Sequence, residues 1–251
     1  LAKAMMGAFP VSNSVLSDLE SRNEKVRAAG FYGIGLLGIK KHLYTVLKAS
    51  LDDKRFRARA YAAFSTGLFE LSGEHADDTV KALTQIVEDD RHFTPRCCAA
   101  LALSRHHGDM RAYDAILLTM QDKHNDVKAY GAIAMGMHGG PNAKGELLRM
   151  ISSSGRSPVG YAGYLGLGLL REGIDINKIL EDFKSAVDMN RQKAMSFAIG
   201  RNIHVQNYYQ LLKILDSENV YAREYATKAL AMAPQLPLES RREICRYLKE
   251  K

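Results

Sequence analysis

The sequence contains no tryptophan, three cysteines and six prolines in 251 residues. Each shortage excludes something. Cys97 and Cys98 are adjacent and cannot easily bridge each other, Cys245 stands alone, and no Cys/His ligand spacing occurs. Neither a disulfide framework nor a zinc module is indicated, so reduced thiols are expected and no metal or cofactor is assigned. The longest apolar stretches, such as Tyr164 to Leu170, fall well short of the ~20 residues of a bilayer-spanning helix. The opening LAKAMMGAFP has no basic region followed by an apolar core, so a cytoplasmic location without membrane insertion is expected. Strand-like alternation of period two is missing over any useful length.

Charge of one sign is also scarce where it would matter. The net charge is +7, which invites an anionic partner. Residues 1–50 carry seven basic and three acidic side chains, 51–200 carry nineteen of each, and 201–251 carry nine and six. The excess belongs to the two ends, so a continuous basic groove is not indicated, and nucleic acid ranks behind protein as the expected partner.

What is present is an internal repeat. Seven segments align without a gap: VRAAGFYGIG at 26–35, FRARAYAAFS at 56–65, PRCCAALALS at 95–104, VKAYGAIAMG at 127–136, VGYAGYLGLG at 159–168, RQKAMSFAIG at 191–200 and AREYATKALA at 222–231. Every copy ends in a large apolar residue followed by a small one, and carries a second small residue two positions earlier. Successive copies are spaced by 30, 39, 32, 32, 32 and 31 residues. The surplus in the second interval falls on LSGEHADD, 71–78, a polar stretch that reads as a surface loop. An amphipathic stretch precedes each copy, with apolar residues such as Val80, Leu83, Ile86 and Val87 at helical spacing. Each period is therefore a helix pair. Glycine inside the second helices costs about 0.5–1 kcal/mol each against alanine, a cost that close helix approach offsets.

Turns bearing Asp or Asn, followed by an apolar residue and a base, complete the pattern in Asn23 to Arg27, Asp53 to Arg57 and Asn125 to Lys128. On these marks the chain resembles the HEAT-repeat family, in particular the short repeats of phycobilisome lyase subunits. The resemblance implies an all-α, right-handed superhelical solenoid of about seven helix pairs over 1–251. It would begin with a partial repeat at 1–10, end in a capping helix at 236–251, and form one part of a longer polypeptide. It also implies a structural role for the repeated base, at Arg27, Arg57, Arg96, Lys128 and Arg223, as a ladder of bonds to turn carboxylates. Gly160 and Gln192 depart, so the ladder is expected to weaken around repeats five and six.

The HEAT-like fold has enzymatic members, and their chemistry does not carry over. The di-iron hydroxylases use His-Glu pairs, which this chain lacks, and the alkylpurine DNA glycosylases use a tryptophan-rich cleft. No catalytic residue is assigned, and a non-catalytic protein-interaction scaffold is the leading expectation. Its partner would be another protein or another domain of the same polypeptide. Exposed residues of the second helices are the candidate partner surface: Tyr32, Arg59, Tyr130, Tyr161, Lys193 and Glu224. A nucleic-acid-binding protein is the alternative, through Arg55, Arg57, Arg59 and Tyr61, or Arg241, Arg242, Arg246 and Tyr247. A lyase-type enzyme subunit is the second alternative. Gly33 to Gly38 spells GxGxxG inside a repeat helix rather than between a strand and a helix, and so reads as packing. His42, His106, His107, His138 and His204 follow second helices and read as solvated loop residues rather than a metal surface.

Overall fold

The computed structural model describes residues 11–170, 176–203, 208–233 and 236–249, and among these there are fifteen α-helices and no strand. The chain divides into two compact units. The first, Leu1–Gly140, holds four pairs: α1 (Val11–Leu19) with α2 (Glu24–Leu37), α3 (Leu43–Asp52) with α4 (Phe56–Thr66), α5 (Glu74–Asp89) with α6 (Phe93–Leu103), and α7 (Met110–Met120) with α8 (Asn125–His138). The second, Pro141–Lys251, holds α9 (Ala143–Ser154) with α10 (Pro158–Leu169), α11 (Asn177–Ser185) with α12 (Met189–Asn202), and α13 (Tyr208–Ile214) with α14 (Val220–Ala231). It ends in α15 (Leu238–Lys249). The partial repeat expected at 1–10, His204 and the side chain of Leu248 lie outside the described residues. No described helix is long and apolar enough to cross a membrane.

Local chemistry accounts for where the second helices begin. Asn23, Ser157, Asp188 and Asn219 each accept a hydrogen bond from a backbone N–H of the following first turn, satisfying donors that a helix leaves open. His92 and His124 do the same with Nδ1, accepting from Thr94 and Asp126 N–H at 3.2 Å, so Nδ1 is the unprotonated nitrogen. Helix α2 stops at Gly38, which takes φ +60 and returns its N–H to Gly35 and Ile34 carbonyls.

Within each unit the second helices lie directly on one another, and more extensively than the first helices do. Glycine makes this possible at one recurring contact. A Cβ on Gly35 would stand 2.6 Å from Ser65 Cβ, and one on Gly67 2.8 Å from Ala102 Cα. In the second unit a Cβ on Gly168 would lie 3.1 Å from Ala198 Cα, and one on Gly200 2.7 Å from the Ala229 carbonyl oxygen. Each glycine therefore meets a small residue near the C-terminal end of the next second helix, and a Cβ on Gly168 would also meet the Phe197 ring at 2.5 Å. Under this contact the first unit buries Phe31, Ile34, Leu43, Val46 and Leu47 against α4 and α5. Cys97 is buried and Cys98 half-buried, and burial pushes both thiols up to about 12; Cys245 is exposed.

The same contact corrects the repeat register. Gap-free alignment pairs Gly35 with Ser65, whereas in the structure Gly35 packs on Ser65, and its equivalent in the next helix is Gly67. The second copy shifts by two residues, and Arg59 rather than Arg57 matches Arg27 and Arg96. Successive intervals become 32 and 37 residues in place of 30 and 39. The surplus is only partly a loop: 71–73 connect, and the helix starts at Glu74. Glu74 to Asp78 form the first turn of α5, a sixteen-residue helix opened by Gly73 at φ +57, with Glu74 and Asp77 in its first turn where the helix dipole favours acids. Composition suggested a loop because those acids are polar, although acids also suit a helix start.

Gly67→Ala is expected to lower unfolding free energy by about 1–3 kcal/mol through overpacking against Ala102 backbone. Gly33→Ala, whose Cβ would meet nothing closer than Val15 Cγ1 at 3.7 Å, should instead raise it by ~0.5–1 kcal/mol. Urea unfolding midpoints of the two variants check both signs.

Candidate functional site

The repeated base does not line a binding surface; it clamps one repeat to the next. Arg27 grips both carboxylate oxygens of Asp53 at 2.8 Å and donates to the Ser21 carbonyl at 2.7 Å. Arg59 grips Asp90 at 2.6 and 2.9 Å and donates to the Asp53 carbonyl. Arg96 grips Asp122 at 2.8 and 2.9 Å and donates to the Asp90 carbonyl. Each aspartate also accepts a backbone N–H two residues on, from Arg55, His92 and His124. Every rung thus joins a planar guanidinium to a planar carboxylate with its remaining lone pair satisfied, the geometry that makes such pairs strong. Burial opposes ionisation of Asp53 and Asp122, but the bonds from Arg27 and Arg96 and from the backbone outweigh it and hold both carboxyls below the usual range.

Two assignments are corrected by this geometry. Arg59, expected at the partner surface, is locked in the ladder, and Arg57, expected in the ladder, is exposed and bonds Glu24 at 3.1 Å. The physical reason is the two-residue shift of register, which turns the guanidinium of Arg57 away from the turn. Lys128 forms no ion pair among the described residues. Arg223 donates to the Ser217 carbonyl, equivalent to the turn carbonyls above, without a carboxylate partner among those residues. At the departures, buried Gln192 donates to the Ala186 carbonyl at 2.7 Å, reproducing that half of a rung, and its Oε1 is left without a partner. Its neighbour Arg191 instead meets Tyr164 Oη at 3.3 Å and Asp182 at 3.7 Å.

The concave chemistry of the first unit lies beside the ladder, at the N-terminal halves of α2, α4 and α6. A groove of about 720 Å³ opens there, within the size range of ligand pockets. Two aromatic groups line it. Tyr32 meets Tyr61 edge-on at 6.2 Å and Phe64 at 6.0 Å. Phe56, His92, Phe93 and His124 form a continuous stack with centroids 3.6, 4.8 and 4.0 Å apart, and the Arg57 guanidinium lies over the Phe56 ring at 5.7 Å. Ala28 and Ala29 leave room between helices, and Lys25, Arg57 and Thr94 complete the lining. None of these lining residues is a carboxylate, and the nearest acid bonded to one of them is Glu24, 3.1 Å from Arg57.

Of the residues expected at the partner surface, Tyr32 lines this groove, and Tyr130 stands exposed on α8 of the same unit. Tyr161, Lys193 and Glu224 occupy one equivalent position of α10, α12 and α14 in the second unit. Tyr161 bonds Asp188 and Glu224 pairs with Lys228, while Lys193 is exposed. The six therefore divide between the two units, three in each, with Arg59 held in the ladder. Phe56, His92 and Phe93 escaped the sequence reading. Their signal was present as adjacent aromatic and histidine residues just before α4, α6 and α8, but stacking across repeats needs the spatial register. His138 is buried rather than a solvated loop residue, with Nε2 2.9 Å from the His106 carbonyl oxygen. Burial lowers the pKa of His106. No group of three or more potential metal ligands occurs among the described residues.

No family model and no curated protein matches the sequence. Among solved structures, the chain is similar to the Escherichia coli protein YibA, at 13% identity and a TM-score of 0.39, covering 88% of this chain and 92% of that one. It is also similar to human deoxyhypusine hydroxylase in complex with glycerol, at 14% identity and a TM-score of 0.34, covering 87% and 72%. At these values the likeness carries no functional argument.

Arg96→Met leaves the half-buried Asp122 without its guanidinium and is expected to cost about 1–3 kcal/mol of stability, whereas Arg57→Ala should cost under ~1 kcal/mol. The depressed carboxyls also set a pH dependence. Their stabilisation is complete above the unfolded-state carboxylate pKa and is lost as pH falls through the lower folded values. Urea titrations across the acid range should show that loss, with a shallower fall in Asp122→Asn.

Proposed function

We propose that the chain is a HEAT-like helical scaffold that binds another protein, or another domain of its own polypeptide, through the second-helix face of its first unit. The observation that carries this reading is the groove between α2, α4 and α6. It joins half-buried aromatic rings and the exposed Tyr61, small residues and two cations on a support whose own charges are consumed in the ladder. Aromatic and arginine side chains around a preformed cleft are the composition that supplies binding hot spots between proteins. Neither Tyr32 nor Tyr61 has a hydrogen-bond partner for its hydroxyl among the described residues, so both keep a polar end for a ligand.

Nucleic acid is the less supported occupant. Single strands bind by stacking bases on open ring faces along a cationic track. Here His92 and Phe93 are each stacked on both sides, and Arg55 and Arg57 are exposed but Arg59 is consumed by Asp90.

The intact chain and an Ala29→Arg variant that fills the groove, immobilised side by side, test the reading by quantitative mass spectrometry of retained proteins. A defined set retained by the first and depleted from the second is expected. Retention of no protein, or equal retention by both, would count against it. Steeply salt-dependent binding of single-stranded DNA would move the assignment to nucleic acid.

A further inference from the structure

The first turns of the second helices carry an anomaly. At the position two residues before the ladder base, the seven repeats read Lys25, Arg57, Thr94, Asp126, Pro158, Asn190 and Tyr221. Four of these, Thr94, Asp126, Pro158 and Asn190, are small, acidic or prolyl residues that suit the start of a helix. Lys25 and Arg57 do not, because a cation at the positive end of the helix dipole is disfavoured, by roughly 0.3–1 kcal/mol. Helix stability therefore does not explain them. Both line the groove. Lys25 is exposed and has no partner among the described residues, and Arg57 keeps about half of its side chain in solvent beside a single bond to Glu24.

The neighbouring surface is apolar and aromatic. Tyr61 is 47% exposed, with Tyr32 set edge-on against it. The Phe56–His92–Phe93 stack presents ring edges, since its faces are covered. Ring edges and an open tyrosine suit an inserted side chain better than an intercalated base.

We propose that this groove receives a short segment of a partner protein that carries an acidic residue close to an aromatic or large aliphatic anchor. The anchor packs against Tyr32, Tyr61 and Phe56, and the carboxylate pairs with Lys25 and the free edge of Arg57. The two tyrosine hydroxyls are available to the segment's backbone carbonyls. Charge complementarity selects the occupant: two cations sit at helix starts where they oppose the dipole, and their only carboxylate partner among the described residues is Glu24, through a single bond to Arg57. This rests on the scaffold reading and narrows it to one site and one ligand chemistry.

Random peptides displayed on phage and selected on the intact chain test it, followed by fluorescence anisotropy of the consensus peptide. The expected consensus pairs an acid with an aromatic or large aliphatic residue. Tyr61→Ala and Lys25→Glu should each raise Kd at least ~10-fold, about 1.4 kcal/mol, and Tyr221→Ala in the second unit should leave it unchanged. Lys25 is exposed and unpaired, so its variant does not depend on tolerance of a buried change. Selection on Lys25→Glu should enrich peptides bearing a base. The inference is overturned if no peptide is selected, if the consensus lacks an acid, if both groove variants bind as tightly as the parent, or if oligothymidylate displaces the peptide. Peptide binding indifferent to the groove variants, with protein capture intact, removes this inference but leaves the scaffold reading standing. Loss of capture removes both.

Discussion

The structure depends on how closely one second helix can approach the next. At Gly35, Gly67, Gly168 and Gly200 a single methyl group would collide with the following repeat at 2.5–2.8 Å. A glycine inside or closing a helix is individually unfavourable, by about 0.5–1 kcal/mol, and it persists because the contact it permits brings helix backbones together and seals apolar residues such as Ile34 and Leu167 completely. Close-packed interiors do not absorb an extra methyl without shifting. Within each unit, the repeats joined by these contacts therefore take their spacing from the small residues of a neighbour, as expected where nearest-neighbour interfaces supply the stability.

That spacing sets the ladder. With second helices held at this distance, an arginine in the first turn of one repeat reaches both the carbonyl of its own turn and the carboxylate of the next. Asp53 and Asp90 accordingly serve two rungs each, one through the carboxylate and one through the carbonyl. The ladder holds three complete rungs in the first unit. In the second, glycine at 160 and glutamine at 192 replace the guanidinium, and Gln192 retains the bond to its own turn. The groove is a by-product of the same geometry. Because the turns are pinned, Phe56, His92, Phe93 and His124 arrive in one stack, and two histidines become helix caps with a defined unprotonated nitrogen.

Much of the helical plan was legible in the residues. Large-small endings such as Ile34-Gly35 and Ile199-Gly200 mark the ends of second helices, and apolar spacing at Val80, Leu83, Ile86 and Val87 marks a first helix. Less legible was the function of any one base. Arg57 and Arg59 lie two residues apart, on either side of Ala58, and a gap-free alignment matches the wrong one because Ser65, like Gly67, counts as a small residue. The stretch 71–78 misled for a related reason: acids and glycine are at home in loops and equally at home in the cap and first turn of a helix.

The sequence by itself determined that the chain is all-α and repetitive and that its glycines serve close packing, since each of these follows from periodicity and spacing along one chain. The tertiary structure alone decided which arginine is bound and which is free, and which aromatic residues from three different repeats share a groove. The reason is geometric. Periodicity reports which face of a helix a residue occupies, but the partner of that face lies some thirty residues away, and its identity depends on a register that a shift of two residues, invisible to composition, is enough to change.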